Sequence, residues 1–274
     1  MTWELPLGEA RPRLVATDLD GTLLDPAGHV TARTRAVLDE LDRRGIPVVF
    51  VTGRPLRWME PVWGAVGDHG LAICSNGAVL YDVGAKAIRA AHTIAVETAL
   101  AVADTLRRVL PGTAFALEKT TGFGIEPAFW TAEAPPSSIP VGPVEDLSDH
   151  TVVKLLAQHP SLPPEAYWRR VDEAVGDRVT TTWSSSFALV EMSGWGVTKA
   201  STLAEVCAER GIAARDVVAF GDMPNDLPLL RWAGWSFAMA NAHPSLRSVA
   251  DHRAPSNAED GVARVLTELF GLPD

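Results

Sequence analysis

The chain has 274 residues, 47% of them hydrophobic and 21% charged, more than one average domain and enough for a sizeable core. A formal net charge of −10 argues against a nucleic-acid partner, which calls for a basic patch. Two cysteines, Cys74 and Cys207, lie far apart in apolar segments, which excludes a disulfide framework and a zinc site. Met1-Thr2-Trp3-Glu4-Leu5-Pro6 shows no leader pattern and no apolar run reaches membrane length. The expected setting is therefore cytoplasmic, with no membrane partner.

Leu14 to Thr17 reads as a buried strand that runs into Asp18-Leu19-Asp20-Gly21-Thr22-Leu23-Leu24. Two carboxylates two residues apart at a strand end point to the same side and repel. A cation between them, or a proton on one, resolves that, and Gly21 lets the backbone turn or approach a ligand closely. Thr31 to Arg44 reads as a helix with Thr31 as N-cap, Val37, Leu38 and Leu41 on one face, and Gly45 as its stop. Val48-Val49-Phe50-Val51 and Leu71-Ala72-Ile73-Cys74 are continuous apolar runs, as in strands covered on both faces. Between them, Arg54-Pro55 opens a helix.

From about Tyr81 to Glu191 the pattern changes. A helix over Thr93 to Leu110 precedes short strand candidates at 114–117, 122–125, 152–156, 179–183 and 187–190, interrupted by Pro135-Pro136-Ser137-Ser138. Strands with few helices between them indicate an α+β unit. The first pattern then resumes, with a helix over Thr198 to Arg210, a strand over Val217 to Phe220 and a helix over Pro224 to Trp232. A strand over Phe237 to Ala240 and a helix over Val262 to Phe270 complete it. The expected fold is α/β, a doubly wound, mainly parallel Rossmann-like core sheet (1–83 and 191–274) with an inserted α+β cap domain (84–190). The crossings fall at Tyr81 to Gly84 and Glu191 to Gly196.

Ligands bind open parallel sheets at the carboxyl ends of the strands, where the strand order reverses. Asp18, Asp20, Thr52, Lys199, Asp222, Asn225 and Asp226 all sit at such ends or at helix starts. Clustered carboxylates without Cys or His favour a hard cation, and Mg²⁺ fits best while leaving room for phosphate oxygens. Lys199, at the start of a helix whose dipole disfavours a cation, makes sense facing a carboxylate and a phosphate. The Thr52 hydroxyl and the N–H groups at Gly21 and Gly53 suit phosphate oxygens. Charge neutralisation and positioning of this kind are what phosphoryl transfer needs. Glu118, Lys119, Glu126 and Lys154, in the middle segment, offer contacts to a substrate, but each taken singly reads as a solvated strand or loop charge, and His29 as a loop residue without a role.

Asp18-Leu19-Asp20-Gly21-Thr22-Leu23, Val51-Thr52-Gly53-Arg54, Lys199 and Gly221-Asp222-Met223-Pro224-Asn225-Asp226 resemble, in order, the four motifs of the haloacid dehalogenase-like hydrolase superfamily. The large insertion between the second and third motifs resembles the Cof-type phosphatases, as do Ser75-Asn76-Gly77-Ala78 and Asn241-Ala242-His243-Pro244. Ala200 departs from the glycine often found after the lysine. The resemblance implies that Asp18 is the nucleophile and forms an aspartyl phosphate. Asp20 becomes the general acid and then base, which asks for a raised pKa. Asp18, Asp222 and the backbone carbonyl of Asp20 would bind Mg²⁺, with Asp226 holding Lys199 or a metal-bound water. Leu19, Gly21, Thr52, Gly53, Lys199 and Asn225 would hold the phosphate, and the middle domain would act as a lid that selects a small phosphorylated substrate. A phosphomutase or phosphotransferase using the same aspartyl phosphate, and a non-catalytic phospho-accepting module, stay open as alternatives. So does the oligomeric state.

Overall fold

A computed structural model describes residues 11–66, 70–131 and 136–273. Residues 1–6, read above for a leader pattern, and Pro135 lie outside the described residues. In chain order the first stretch holds β1 (Leu14–Thr17), α1 (Ala32–Arg43), β2 (Val48–Val51), α2 (Glu60–Val66), β3 (Leu71–Cys74), β4 (Val79–Asp82) and β5 (Ala87–Ala91). The middle holds α3 (Val96–Val109), β6 (Ala114–Lys119), β7 (Gly122–Ile125), α4 (Val144–Leu147), β8 (Val152–Gln158), α5 (Pro164–Val175), β9 (Val179–Thr182) and β10 (Leu189–Gly194). The last stretch holds α6 (Lys199–Glu209), β11 (Val217–Gly221), α7 (Leu227–Trp232), β12 (Trp235–Met239), α8 (Pro244–Arg247), β13 (His252–Ala254) and α9 (Gly261–Phe270).

The chain divides into two compact units, one running up to Arg89 and resuming at Lys199, the other spanning Ala90–Thr198. Both divisions fall a few residues after the 83/84 and 190/191 boundaries drawn from sequence. The reason is strand pairing. Residues 84–89 include the start of β5, which joins the large sheet, while Glu191 to Gly194 complete β10 and pair with β9. The segment read as a crossing is therefore part of a strand.

In the first unit, the described strands form one sheet in the order β13-β12-β11-β1-β2-β3-β4-β5. The pairs from β13 to β3 are parallel, and β4 returns antiparallel to β3. Except for β13 at the sheet's edge, the parallel strands are short, mostly apolar runs with almost no exposed residue, as burial on both faces requires. α1 starts at Thr31, whose side chain accepts from the Thr34 N–H, and buries Val37, Leu38 and Leu41. β1 is central, flanked by β2 and β11. The order reverses there, so the end of β1 is the expected ligand position. Thr17 pairs with Phe220, which brings Asp18 beside the end of β11 across about 200 residues of chain. Cys74 and Cys207 form no disulfide among the described residues and are buried.

In the second unit the sheet order is β7-β6-β8-β10-β9, with antiparallel pairs throughout. Alternate residues such as Phe115, Leu117, Leu155 and Val190 join Val102, Leu106, Tyr167 and Val171 of α3 and α5 in one apolar core. The intervening positions are not solvated as expected: Lys154, Glu118 and Glu126 are all buried. Lys154 is accommodated by an ion pair with Glu191 at 2.7 Å. Glu126 accepts from the Phe115 and Val144 N–H groups and from Arg107. Among the described residues, no helix is long and apolar enough to cross a membrane.

Candidate active site

Asp18 directly follows β1, and its N–H donates to the Phe220 carbonyl of β11 at 3.1 Å. The chain then makes a wide turn in which Leu23 N–H donates to the Asp18 carbonyl and Leu24 N–H to the Leu19 carbonyl. Gly21 takes φ +74° in that turn, and a Cβ there would lie 2.2 Å from Asp222 Oδ2. Glycine is thus required by dihedral and by space together, and the space it leaves is filled by a carboxylate. The Thr22 hydroxyl donates to Asp222 Oδ1 at 3.1 Å, and Asn241 Nδ2 donates to the Gly21 carbonyl at 2.7 Å.

Lys199 is the first residue of α6 and is only 1% exposed. Its ammonium donates to Asp18 Oδ1 and to Asp226 Oδ1, both at 2.6 Å. The other oxygen of Asp226 accepts from the backbone N–H groups of Asp222 and Met223, each at 3.1 Å. Asp226 is thereby committed on both oxygens. Oxygens of Asp18, Asp222 and Asp226 lie within 4.8 Å of one another, and all three residues are buried.

Three carboxylates around one ammonium leave an excess of negative charge, and the proton affinities reflect it. Burial drives the Asp18 carboxyl well above the ordinary carboxylate range, opposed by Lys199 and reinforced by Asp226 and Asp222. Asp222 is pushed up to about 7, again by burial first and by Asp226 next. Burial favours neutral Lys199, but Asp18 and Asp226 outweigh it and raise its pKa, so the lysine stays charged. The uncompensated charge therefore rests on Asp18 and Asp222. Asp18 Oδ2 and Asp222 Oδ2 accept no hydrogen bond among the described residues. Hard, anionic and buried, this donor pair fits Mg²⁺, with Asp226 as its brace.

A second group of residues gathers at the ends of β2 and β3. Thr52 is buried, and its hydroxyl accepts from the Arg54 N–H at 3.0 Å. The backbone then crosses to the turn after β3: Asn76 N–H donates to the Thr52 carbonyl at 3.0 Å, and Ser75 N–H to the Arg54 carbonyl at 2.9 Å. Asn225 reaches the same place, its Nδ2 donating to Asn76 Oδ1 at 3.1 Å. A Cβ on Gly53 would touch both amides, at 3.0 Å from Asn76 Oδ1 and 3.5 Å from Asn225 Nδ2.

Asp20 behaves unlike Asp18. Its side chain is 56% exposed and takes a two-pronged contact from Arg54, Nε to Oδ2 at 2.7 Å and the terminal nitrogen to Oδ1 at 2.5 Å. That contact raises the Arg54 pKa, with smaller contributions from the charges of Asp20 and Asp18. A guanidinium fork is a partner for a carboxylate anion, so an acid role for Asp20 requires Arg54 to release it.

The structure thus joins Asp18, Lys199, Asp222 and Asp226 directly, links Thr52 and Gly53 to Asn225 through Asn76, and ties Asp20 to Arg54. Leu19 is buried between the two acidic positions. Sequence reasoning gave no role to Thr22, Asn76, Arg54 or Asn241. All four lie inside segments already singled out for their resemblance, Asn76 in the turn before the insertion. A polar residue next to a motif was the available signal.

Residues 15–266 match the family model described as haloacid dehalogenase-like hydrolase. The pyridoxal phosphate phosphatase YbhA of Escherichia coli K12 is 28% identical over 267 residues, covering 93% of this chain and 97% of that protein. The 5-amino-6-(5-phospho-D-ribitylamino)uracil phosphatase YitU of Bacillus subtilis 168 is 27% identical, covering 96% of this chain and all of that one. The solved structure of BT1666 from Bacteroides thetaiotaomicron has the same fold, with a TM-score of 0.78 at 22% identity over 98% of this chain and 99% of that one.

Proposed function

The chain belongs to the haloacid dehalogenase-like hydrolase family and is a phosphatase, and from that premise we propose that it hydrolyses a small phosphorylated metabolite, with Mg²⁺, through an aspartyl phosphate on Asp18. One observation carries the reading. Asp18 and Asp222 are buried, each with one oxygen that accepts no hydrogen bond among the described residues, beside a lysine that is already shared with Asp226. Such a cluster is costly to bury unless a cation and a negatively charged ligand complete it.

Asp18 Oδ1 is fixed by Lys199, which leaves Oδ2 as the attacking oxygen. Lys199 stays protonated and stabilises charge on the transferring group. The Mg²⁺ ion, when bound by Asp18, Asp222 and the Asp20 carbonyl, offsets the repulsion between carboxylate and phosphate. The Leu19 N–H, the Thr52 hydroxyl, the Gly21 and Gly53 N–H groups and the Asn225 amide hold phosphate oxygens. Asp20, released by Arg54, protonates the departing oxygen and then takes a proton from the water that cleaves the aspartyl phosphate. The second unit, Ala90–Thr198, selects the leaving group. The relatives named above act on a phosphorylated pyridine and on a phosphorylated ribitylaminouracil, which supports a phosphorylated cofactor or sugar as substrate class.

The test is a screen of phosphorylated metabolites with Mg²⁺, measuring inorganic phosphate against substrate loss. We expect the two to match, Asp18→Asn to fold and turn over nothing, and EDTA to abolish the rate. Wild-type activity in Asp18→Asn, or full activity after exhaustive EDTA treatment, overturns the mechanism. Substrate loss without phosphate release makes the protein a phosphotransferase instead.

A further inference from the structure

Resting on the reading of Asn225 as a phosphate donor, we propose that Asn76 is a positioning residue: it determines which face of the Asn225 amide meets the phosphate. The turn that carries it is unusual. Ser75, Asn76 and Gly77 have φ of +52°, +58° and +110° in succession, so two non-glycine residues occupy the left-handed region side by side. That conformation is strained for a side chain, and asparagine tolerates it best. All three residues are buried. A turn of this shape is most cheaply built from glycine, so the side chain at 76 has a use that offsets its strain.

The use follows from its partner. Asn225 is 7% exposed and its Nδ2 is engaged by Asn76 Oδ1, while its Oδ1 is buried and makes no hydrogen bond among the described residues. An unpaired buried amide oxygen is unfavourable, and it would repel a phosphate, whose oxygens in the dianion only accept. Turning both amides over removes both faults. Asn76 Nδ2 then donates to Asn225 Oδ1, and Asn225 Nδ2 moves to where its oxygen was, free to donate to the phosphate. The outline of the pair is unchanged. Among side chains of this outline, only a carboxamide both accepts in the one arrangement and donates in the other. Gly53 permits the turn-over, since a side chain there would press on both amides.

The experiment measures the Kd of inorganic phosphate by calorimetry in the presence of Mg²⁺, together with KM and kcat on p-nitrophenyl phosphate. Asn225→Ala is expected to weaken phosphate binding by about ten- to a hundredfold, the loss of one charge-assisted hydrogen bond. Asn76→Gly keeps the backbone at ease and is expected to weaken it by roughly three- to tenfold, raising KM more than it lowers kcat. The double variant should bind no more weakly than Asn225→Ala alone, since the two residues act as one unit. Should Asn76→Gly fail to fold, Asn76→Asp has the same outline and tolerates the same φ. Its carboxylate only accepts, so phosphate binding should fall by at least as much. An unchanged Kd in the Asn76 variants beside a weakened Asn225→Ala, or losses that multiply in the double variant, overturns the inference and leaves the phosphate site standing. An unchanged Kd in Asn225→Ala removes that residue from the phosphate site, and this inference with it.

Discussion

Glu126 in the second unit and Asp226 in the first are bonded by the same recipe. Each is a buried carboxylate that accepts from two backbone N–H groups and one cation: Phe115, Val144 and Arg107 for Glu126, and Asp222, Met223 and Lys199 for Asp226. What differs is the company. Arg107 also pairs with Glu145, a half-exposed residue whose pKa that contact lowers, so the surrounding charge is settled. Beside Asp226 stand Asp18 and Asp222, buried and driven toward protonation. A buried ion pair is therefore not in itself a sign of chemistry. Carboxylates left over after the pairing are.

Removing the central cation from each region puts that contrast under its greatest load. Lys199→Ala leaves Asp18 and Asp226 buried without their partner, and should cut turnover by at least about 10³-fold and stability by roughly 3–5 kcal/mol. Initial rates and urea titration measure both. Arg107→Ala should lower stability while kcat stays near wild type, and a Lys199→Ala protein with normal turnover would erase the distinction. Next in size is Gly21→Ala, whose methyl group would collide with the Asp222 carboxylate at an unfavourable φ. The Mg²⁺ concentration for half-maximal rate should rise by roughly ten- to a hundredfold, and an unchanged metal titration would show that Asp222 is not a ligand.

A third effect separates the regions by pH. Asp222, raised from 3.8 to about 7 by burial and by Asp226, binds a proton more tightly folded than unfolded. A raised pKa gives stability that is complete below the unfolded value and lost as pH rises through the folded one. Metal-free protein should therefore show a falling Tm from about pH 4 to about pH 7, by several degrees. Added Mg²⁺ should restore it most at the alkaline end. A flat metal-free profile would mean the excess charge is compensated after all. Smallest is Glu126→Gln, which keeps an acceptor for the backbone and loses the ion pair. About 1–2 kcal/mol of stability and no activity should be lost.

The core unit was largely legible in the sequence, because its parallel strands are uniform apolar runs cut off by Gly, Asp or Thr, as at Val48–Val51 and Val217–Gly221. Strands that lack that signal escaped: β5 has mostly exposed residues and β13 holds His252 and Arg253. The helix α5 was also missed. Its buried side, Tyr167, Val171 and Val175, is regular, but two prolines and a tryptophan at its start disguise it. The four motif segments exposed the site's charges, since carboxylates at strand ends stand out by type. The second-line contacts did not, because nothing in the local pattern joins Asn76 to Asn225 across 149 positions or Thr22 to Asp222 across 200. The middle charges were misjudged for the same reason, as Lys154 meets Glu191 only once the strands pair.

Because β1 lies between β2 and β11, a growing polypeptide meets its two acidic clusters at opposite ends of synthesis. Until Asp226 has been synthesised, the carboxylate that shares Lys199 with Asp18 is missing and the buried cluster is incomplete. The whole inserted unit, Ala90–Thr198, is made in that interval. The charge cluster is thus completed late, by a segment made about 200 residues after the strand it closes on.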